Sequence, residues 1–317
     1  AFPQGKKGCS YRMTIAQFYR LIRPRTLTAS FSPVILGAAY GGVMHPHVHS
    51  ASQSLFYTLL VFICVLTAQM AANIWNEYFD FKSGLDLNQV IGNSGSIVRE
   101  GLSPAGIKRL GYVFTIIPLI IGVALSAMIT WWFIPAGLIC MAIMVCYSGG
   151  PKPLSRTPFG ELASGIAMGF AIVLITAYTW TGQLTWDLLI PAIPSTILIG
   201  AIMMTNNLRD FANDKAHGRR TLVILMGHEG GTKLLGGLFA FTIAWTAFFA
   251  FTNKVPLVVL ISSISFITAM KGVRILQSQE NTVTMDKAMK FSALSTTLYH
   301  VLFTVGLLWS YWGDKIL

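Results

Sequence analysis

Nine apolar runs dominate the chain, near residues 26–44, 54–76, 108–128, 131–148, 160–181, 187–207, 232–252, 255–271 and 291–312. Each approaches the ~20 residues that a helix needs to cross a ~30 Å hydrocarbon layer. The expected fold is therefore all-α, a multi-span membrane bundle of about nine transmembrane helices around a central cavity. Composition agrees: with 54% hydrophobic and 11% charged residues, 317 residues carry too little polar surface to cover a soluble globule.

A net charge of +11 would suit a nucleic-acid partner, but the charges follow the membrane instead. With the amino terminus placed in the cytoplasm, every Lys and Arg except Lys254 and Lys315 falls on the inner side, as the positive-inside rule requires. Of the acidic residues, only Asp187 and Asp314 fall outside. Residues 1–19 read as a basic leader without the apolar core of a signal peptide, and 20–317 as one transmembrane domain. Cys64, Cys140 and Cys146 lie within apolar runs, so the cysteines spell neither a disulfide framework nor a zinc site.

Chemistry concentrates where two of these runs end. Asn73, Asn76 and Asp80 recur at helical spacing at the end of the second run, and Asn207, Asp210 and Asp214 repeat the pattern at the end of the sixth. Both fall on the cytoplasmic side. Carboxylates at the edge of hydrocarbon are costly unless paired or metal-bound, which marks them as functional candidates. The loops that follow are basic or glycine-rich: 91–104 with Arg99, 147–156 with Lys152 and Arg156, and 215–220 with Arg219 and Arg220. Carboxylates beside Lys and Arg suit oxygen-loving Mg²⁺ bridging to phosphate oxygens. A diphosphate with a greasy tail, such as a polyprenyl diphosphate lying between helices in the bilayer, fits that setting. Paired intramembrane carboxylates also mark cation-coupled transporters, although a transport site is expected near the midplane.

Other conspicuous residues have plainer readings. The tract His45-Pro-His47-Val-His49 reads as solvated outer loop, and His300 as an interhelical hydrogen-bonding group. Trp131, Trp132, Trp180, Trp186, Trp309 and Trp312 read as an interfacial belt. Arg156, Arg219 and Arg220 read as topology or lipid-surface charges.

Several stretches together resemble the UbiA-type intramembrane aromatic prenyltransferases. Asn76-Glu77-Tyr-Phe-Asp80 with Asp86 is similar to the family's first motif, with Glu77 where Asp is usual, and Asp210 with Asp214 to its second. Arg23-Pro-Arg-Thr-Leu-Thr28, Tyr147-Ser-Gly-Gly-Pro-Lys-Pro153 and Gly160-Glu161 resemble the branch that acts on 1,4-dihydroxy-2-naphthoate; 4-hydroxybenzoate and homogentisate are the alternative acceptors. The resemblance implies Mg²⁺ held by Asn76 and Asp80 on one side and by Asp210 and Asp214 on the other, with Asp86 assisting. It implies a catalytic role for Asp80, Asp210 and Asp214, and a diphosphate contact for Lys152. Arg99, Tyr147, Asn207, Arg209 and Asn73 complete the expected substrate contacts. The implied reaction is prenylation of 1,4-dihydroxy-2-naphthoate with loss of CO₂ in a bacterial cell membrane, with the active-site loops cytoplasmic and the carboxyl terminus outside.

Overall fold

The computed structural model describes residues 13–84, 95–278 and 282–316, and every regular element among them is helical. A short α1 (Ile15–Leu21), lying partly in the expected leader, precedes α2 (Pro24–Met44) and α3 (Ala51–Ser83). After α4 (Ser96–Glu100) come α5 (Pro104–Met128), α6 (Phe133–Ser148), α7 (Gly160–Ser164), a π turn (Gly165–Phe170) and α8 (Ala171–Thr181). The chain continues through α9 (Leu189–Arg209), α10 (Phe211–Ala216), α11 (Leu222–Phe251), α12 (Ser265–Gln277) and α13 (Thr282–Ile316).

Among the described residues, 8 helical segments are long and apolar enough to span a membrane. The run expected as a further span, α6, has 16 residues; at ~1.5 Å per residue it reaches only about 24 Å. The expectation near 255–271 is met by a compound element that begins as a 3₁₀ helix (Leu257–Ile264) and continues as α12. Helix α11 starts ten residues before its expected apolar run and breaks at Gly227, whose φ of 75° lies in the left-handed region that glycine adopts without strain.

Helix α9 is the axis of the bundle, touching α2, α7, α8, α11 and α13. Its Leu198, Ala201, Met204 and Leu208 join Leu36 and Tyr40 of α2, Val173 of α8, Leu235 of α11 and Phe303 of α13 in one buried core. The π turn packs so tightly on α9 that a Cβ on Gly169 would stand 2.7 Å from the carbonyl oxygen of Ser195. Inside the spans, polar side chains bond across helices: Ser32 Oγ to His300 Nδ1 at 2.8 Å, and Thr246 Oγ1 to Tyr299 Oη at 2.6 Å.

The two ends of the bundle are stitched differently. At the end where α3 and α9 finish, Arg20 pairs with Glu100, Arg209 with Asp286, and the Arg220 amide donates to the Arg156 carbonyl. At the other end, His45 Nε2 meets Asp187 Oδ2 at 2.6 Å, and His47 bonds the Gly42 carbonyl. The histidine tract is thus tied into the fold and is not merely solvated. Trp131, Trp132, Trp186, Trp309 and Trp312 are exposed as the belt requires. Trp180 departs from it, donating to Thr58 Oγ1 and packing on Gly42, because α8 faces inward at that height.

Replacing Gly169 by Leu should separate α8 from α9 and cost about 1–3 kcal/mol or more, the usual penalty for overpacking a close contact. A fall in the thermal unfolding midpoint of detergent-solubilised protein, absent in an exposed control such as Gly237→Leu, would report it.

Candidate active site

The acid-bearing ends of α3 and α9 line one polar cavity of about 210 Å³. From α3 come Gln69, Asn73, Asn76 and Asp80, a spacing of four, three and four that keeps them on one helix face. From α9 come Ile199, Ile202, Met203, Asn206, Asn207 and Asp210. Tyr147 and Ser148 close one side from the end of α6, and Arg23, Arg219, Asp286 and Lys290 complete the charged wall. Tyr147 lines the same space as Asp80 of the first motif and Asp210 of the second.

Each acid has its own arrangement. The Arg209 fork clasps Asp210, Nε to Oδ1 at 2.8 Å and Nη2 to Oδ2 at 2.6 Å, while its Nη1 reaches Asp286 Oδ1 at 3.1 Å. Bidentate pairs of this kind are the strong ones. Asp214 does not line the cavity: it is only 1% exposed behind Arg219, which does, and neither carboxylate oxygen accepts a hydrogen bond of ordinary geometry, Arg219 Nη1 standing 3.1 Å from Oδ1. Burial, only partly offset by Arg219, raises the Asp214 carboxyl to about 6. A second cation beside it would favour the ionised form.

Glu77 does not join this set. Helical residues one apart diverge by about 100°, so Glu77 points away from Asn76. It is 1% exposed and accepts from the Gly95 amide at 3.0 and 3.1 Å and from the Ile97 amide at 3.0 Å, with Arg23 Nη2 at 3.5 Å from Oε2. The carboxylate thereby anchors the start of α4. Arg23 itself precedes α2 with a left-handed φ of 50°, a conformation costing a non-glycine residue of order 1–3 kcal/mol unless its surroundings hold it.

Several expected substrate contacts line the cavity and also hold the frame. Asn73 lines the cavity, but its Nδ2 donates to the Ile22 carbonyl at 2.7 Å and to Thr26 Oγ1 at 2.9 Å, fixing the entry to α2. Asn207 Nδ2 is committed to Glu161 Oε1 at 2.8 Å, and Arg209 is spent on Asp210, Asn206 and Asp286. Asn76 Oδ1 accepts from Ser148 Oγ at 2.5 Å. Lys152 is exposed and lines neither this cavity nor its neighbour, because the chain turns away at Gly150, φ 88°. Arg99 is exposed and also lines neither, its guanidinium lying over Gly95 at the start of the anchored α4. Asp86 falls outside the described residues.

The cavity also contains residues that the motifs did not single out. Arg219, read as a surface charge, is turned inward onto Asp214. Asp286, Met289, Lys290 and Ala293 follow helical spacing on α13, a periodicity visible in the sequence but read there only as basic topology.

Asn76, Gln69, Tyr147, Ser164, Met168 and Met203 also border an apolar cavity of about 250 Å³ between α3, α5, α6 and α8. Leu119 and Val123 of α5 and Leu138 of α6 line it while remaining exposed, and a Cβ on Gly122 or Gly137 would meet nothing within 4 Å. The apolar cavity therefore opens sideways between α5 and α6, toward lipid.

A helical bundle whose charged mouth runs into a hydrocarbon-lined slot defines an integral membrane protein with one amphiphilic cavity system. Comparison with known proteins makes the class specific. Residues 30–294 match the UbiA prenyltransferase family. The chain is 39% identical over 293 residues to the 1,4-dihydroxy-2-naphthoate octaprenyltransferase of Bacillus subtilis, covering 92% of both proteins. It is 28% identical to the protein of the same name from Mycobacterium tuberculosis, over 72% of this chain and 75% of that one. Among solved structures, a UbiA homolog from Archaeoglobus fulgidus bound to DMAPP and Mg²⁺ superposes with a TM-score of 0.62 at 17% identity, covering 91% and 99% of the two chains. The apo UbiA homolog from Aeropyrum pernix gives 0.66 at 14% identity, over 88% and 97%. The chain belongs to the UbiA prenyltransferase family and is a membrane-embedded prenyltransferase.

Glu77→Ala should release α4 by removing the acceptor of two buried amides and the partner of Arg23. Breaking such a buried charged network costs about 3–5 kcal/mol. Hydrogen exchange at residues 95–100 should accelerate strongly, with Glu77→Gln intermediate.

Proposed function

We propose that the protein transfers a polyprenyl group from polyprenyl diphosphate to 1,4-dihydroxy-2-naphthoate with decarboxylation, giving demethylmenaquinol, CO₂ and diphosphate. The observation that carries this reading is the continuity of the two cavities through Asn76, Tyr147 and Met203, which suits one molecule with a charged head and a hydrocarbon tail. The acceptor is taken from the names of the relatives that cover most of this chain, and from the stretches at 23–28, 147–153 and 160–161.

The donor set fits Mg²⁺. The groups at the mouth are carboxylate, amide and hydroxyl oxygens, and among the described residues no three of His, Cys, Asp and Glu form a cage of their own. An ion here would complete its coordination with substrate oxygens and water, the habit of Mg²⁺ and not of zinc. Asn76 and Asp80 would hold one ion, and Asp210 and Asp214 the other. Bound there, Mg²⁺ supplies charge neutralisation for the departing diphosphate.

The chain's own residues do the remaining work. Arg23 and Arg219 line the cavity as donors for phosphate oxygens, and the Arg209 fork orients Asp210. The allylic carbon–oxygen bond breaks with its electron pair leaving on diphosphate. Tyr147, at the junction, offers an aromatic face to the allylic cation, and the surrounding apolar wall limits capture by water. A ring carbon of the naphthalenediol forms the new carbon–carbon bond, and departure of CO₂ returns an electron pair to the ring. The proposed setting is a bacterial cell membrane with this mouth on the cytoplasmic side, a reading that the basic loops support.

The direct test is purified protein with Mg²⁺, a polyprenyl diphosphate and each of 1,4-dihydroxy-2-naphthoate, 4-hydroxybenzoate and homogentisate. A product whose mass lacks both diphosphate and CO₂, formed from the naphthoate alone, is expected; prenylation of another acid instead would refute the assignment. Chelation should stop turnover and Mg²⁺ restore it. Asp80→Asn or Asp210→Asn should lower kcat by about a hundredfold or more, the scale of removing one preorganised electrostatic contact, without lowering thermal stability comparably.

A further inference from the structure

We infer that Lys290 anchors the carboxylate of the aromatic acceptor, which lies between α2, α9 and α13; this rests on the function proposed above. The polar cavity has two sides. Its α3 side carries Asn76 and Asp80, whereas its α13 side carries Asp286, Met289, Lys290 and Ala293, spaced so that one face of that helix lines the space. Ile199, Ile202 and Met203 of α9, a helix packed against α13, line the same space.

The cations of the cavity are not equivalent. Arg209 is saturated by Asp210, Asn206 and Asp286, Arg219 is paired with Asp214, and Arg23 lies against Glu77. Lys290 lines the same cavity, and among the described residues it has no carboxylate within ion-pairing distance. Its nearest acidic neighbour by helical spacing, Asp286, is already engaged by Arg209 at 3.1 Å. A cavity that carries Met and Ile side chains together with the solvent-exposed Lys290 matches a flat aromatic ring bearing one carboxylate. Thioethers such as Met203 and Met289 also favour contact with aromatic rings. Met203 borders both cavities, so a ring seated here faces the point where the hydrocarbon slot meets the charged mouth.

The role separates cleanly from donor binding. In Lys290→Met, KM for 1,4-dihydroxy-2-naphthoate should rise about tenfold or more, as expected for loss of one charge-assisted contact. KM for polyprenyl diphosphate should not change. Lys290→Arg should restore most of the loss. Inhibition by 1,4-naphthalenediol, which lacks the carboxylate, should be insensitive to either change. An unaltered KM for the acid, a raised KM for the diphosphate, or equal weakening of the diol would each overturn the inference. If the wild-type enzyme prenylates 4-hydroxybenzoate in place of the naphthoate, the acceptor assignment fails, while the same variants measured with that acid still decide whether Lys290 holds its carboxylate.

Discussion

A carboxylate at the end of a hydrocarbon-embedded helix persists only where cations or N–H donors face it, since leaving an ion buried and unmatched costs several kcal/mol. The acids in and behind this mouth meet that condition to different degrees. Glu77 is fully served by two backbone amides and Arg23, so it is a structural anchor. Asp210 and Asp286 share the fork of Arg209. Asp214 is the least satisfied, buried with one imperfectly directed cation and a carboxyl raised to about 6. That gradient separates residues that maintain the frame from those with capacity left for a ligand.

Much of the frame follows from local properties of the sequence. Apolar length set the spans, and helical periodicity aligned Asn76 with Asp80 on one face. Charge asymmetry placed the ends of α3 and α9 together, and they do border one cavity. The length of α6 was harder to read, because Trp131 and Trp132 are apolar like the helix they precede but fold as a turn between α5 and α6. What periodicity could not supply was the choice of hydrogen-bond partner. Asn73, Asn207 and Arg209 carry the right groups for substrate, yet packing brings Ile22, Glu161 and Asp286 within their reach first. Lys152 shows the converse: a basic residue in a suggestive turn, directed elsewhere by the backbone at Gly150.

The π turn shows how packing and site geometry are joined. Its glycines let α8 approach α9, while Ser164 and Met168, at its start and within it, border both cavities. Single-turn π segments often occur where a helix must re-aim its side chains at a functional site. Here the adjustment falls where the polar and apolar lobes meet, so one close interhelical contact also sets the shape of their junction.

The gap between Gly122 and Gly137 changes what limits the size of an occupant. A closed tunnel would have to match the full contour of a long isoprenoid, and every added unit would require more enclosed volume. With one wall missing, only the first units need an internal berth, and the remainder can stay dissolved among acyl chains. The bilayer then acts as part of the binding pocket, and its thickness and fluidity become variables of catalysis alongside the side chains.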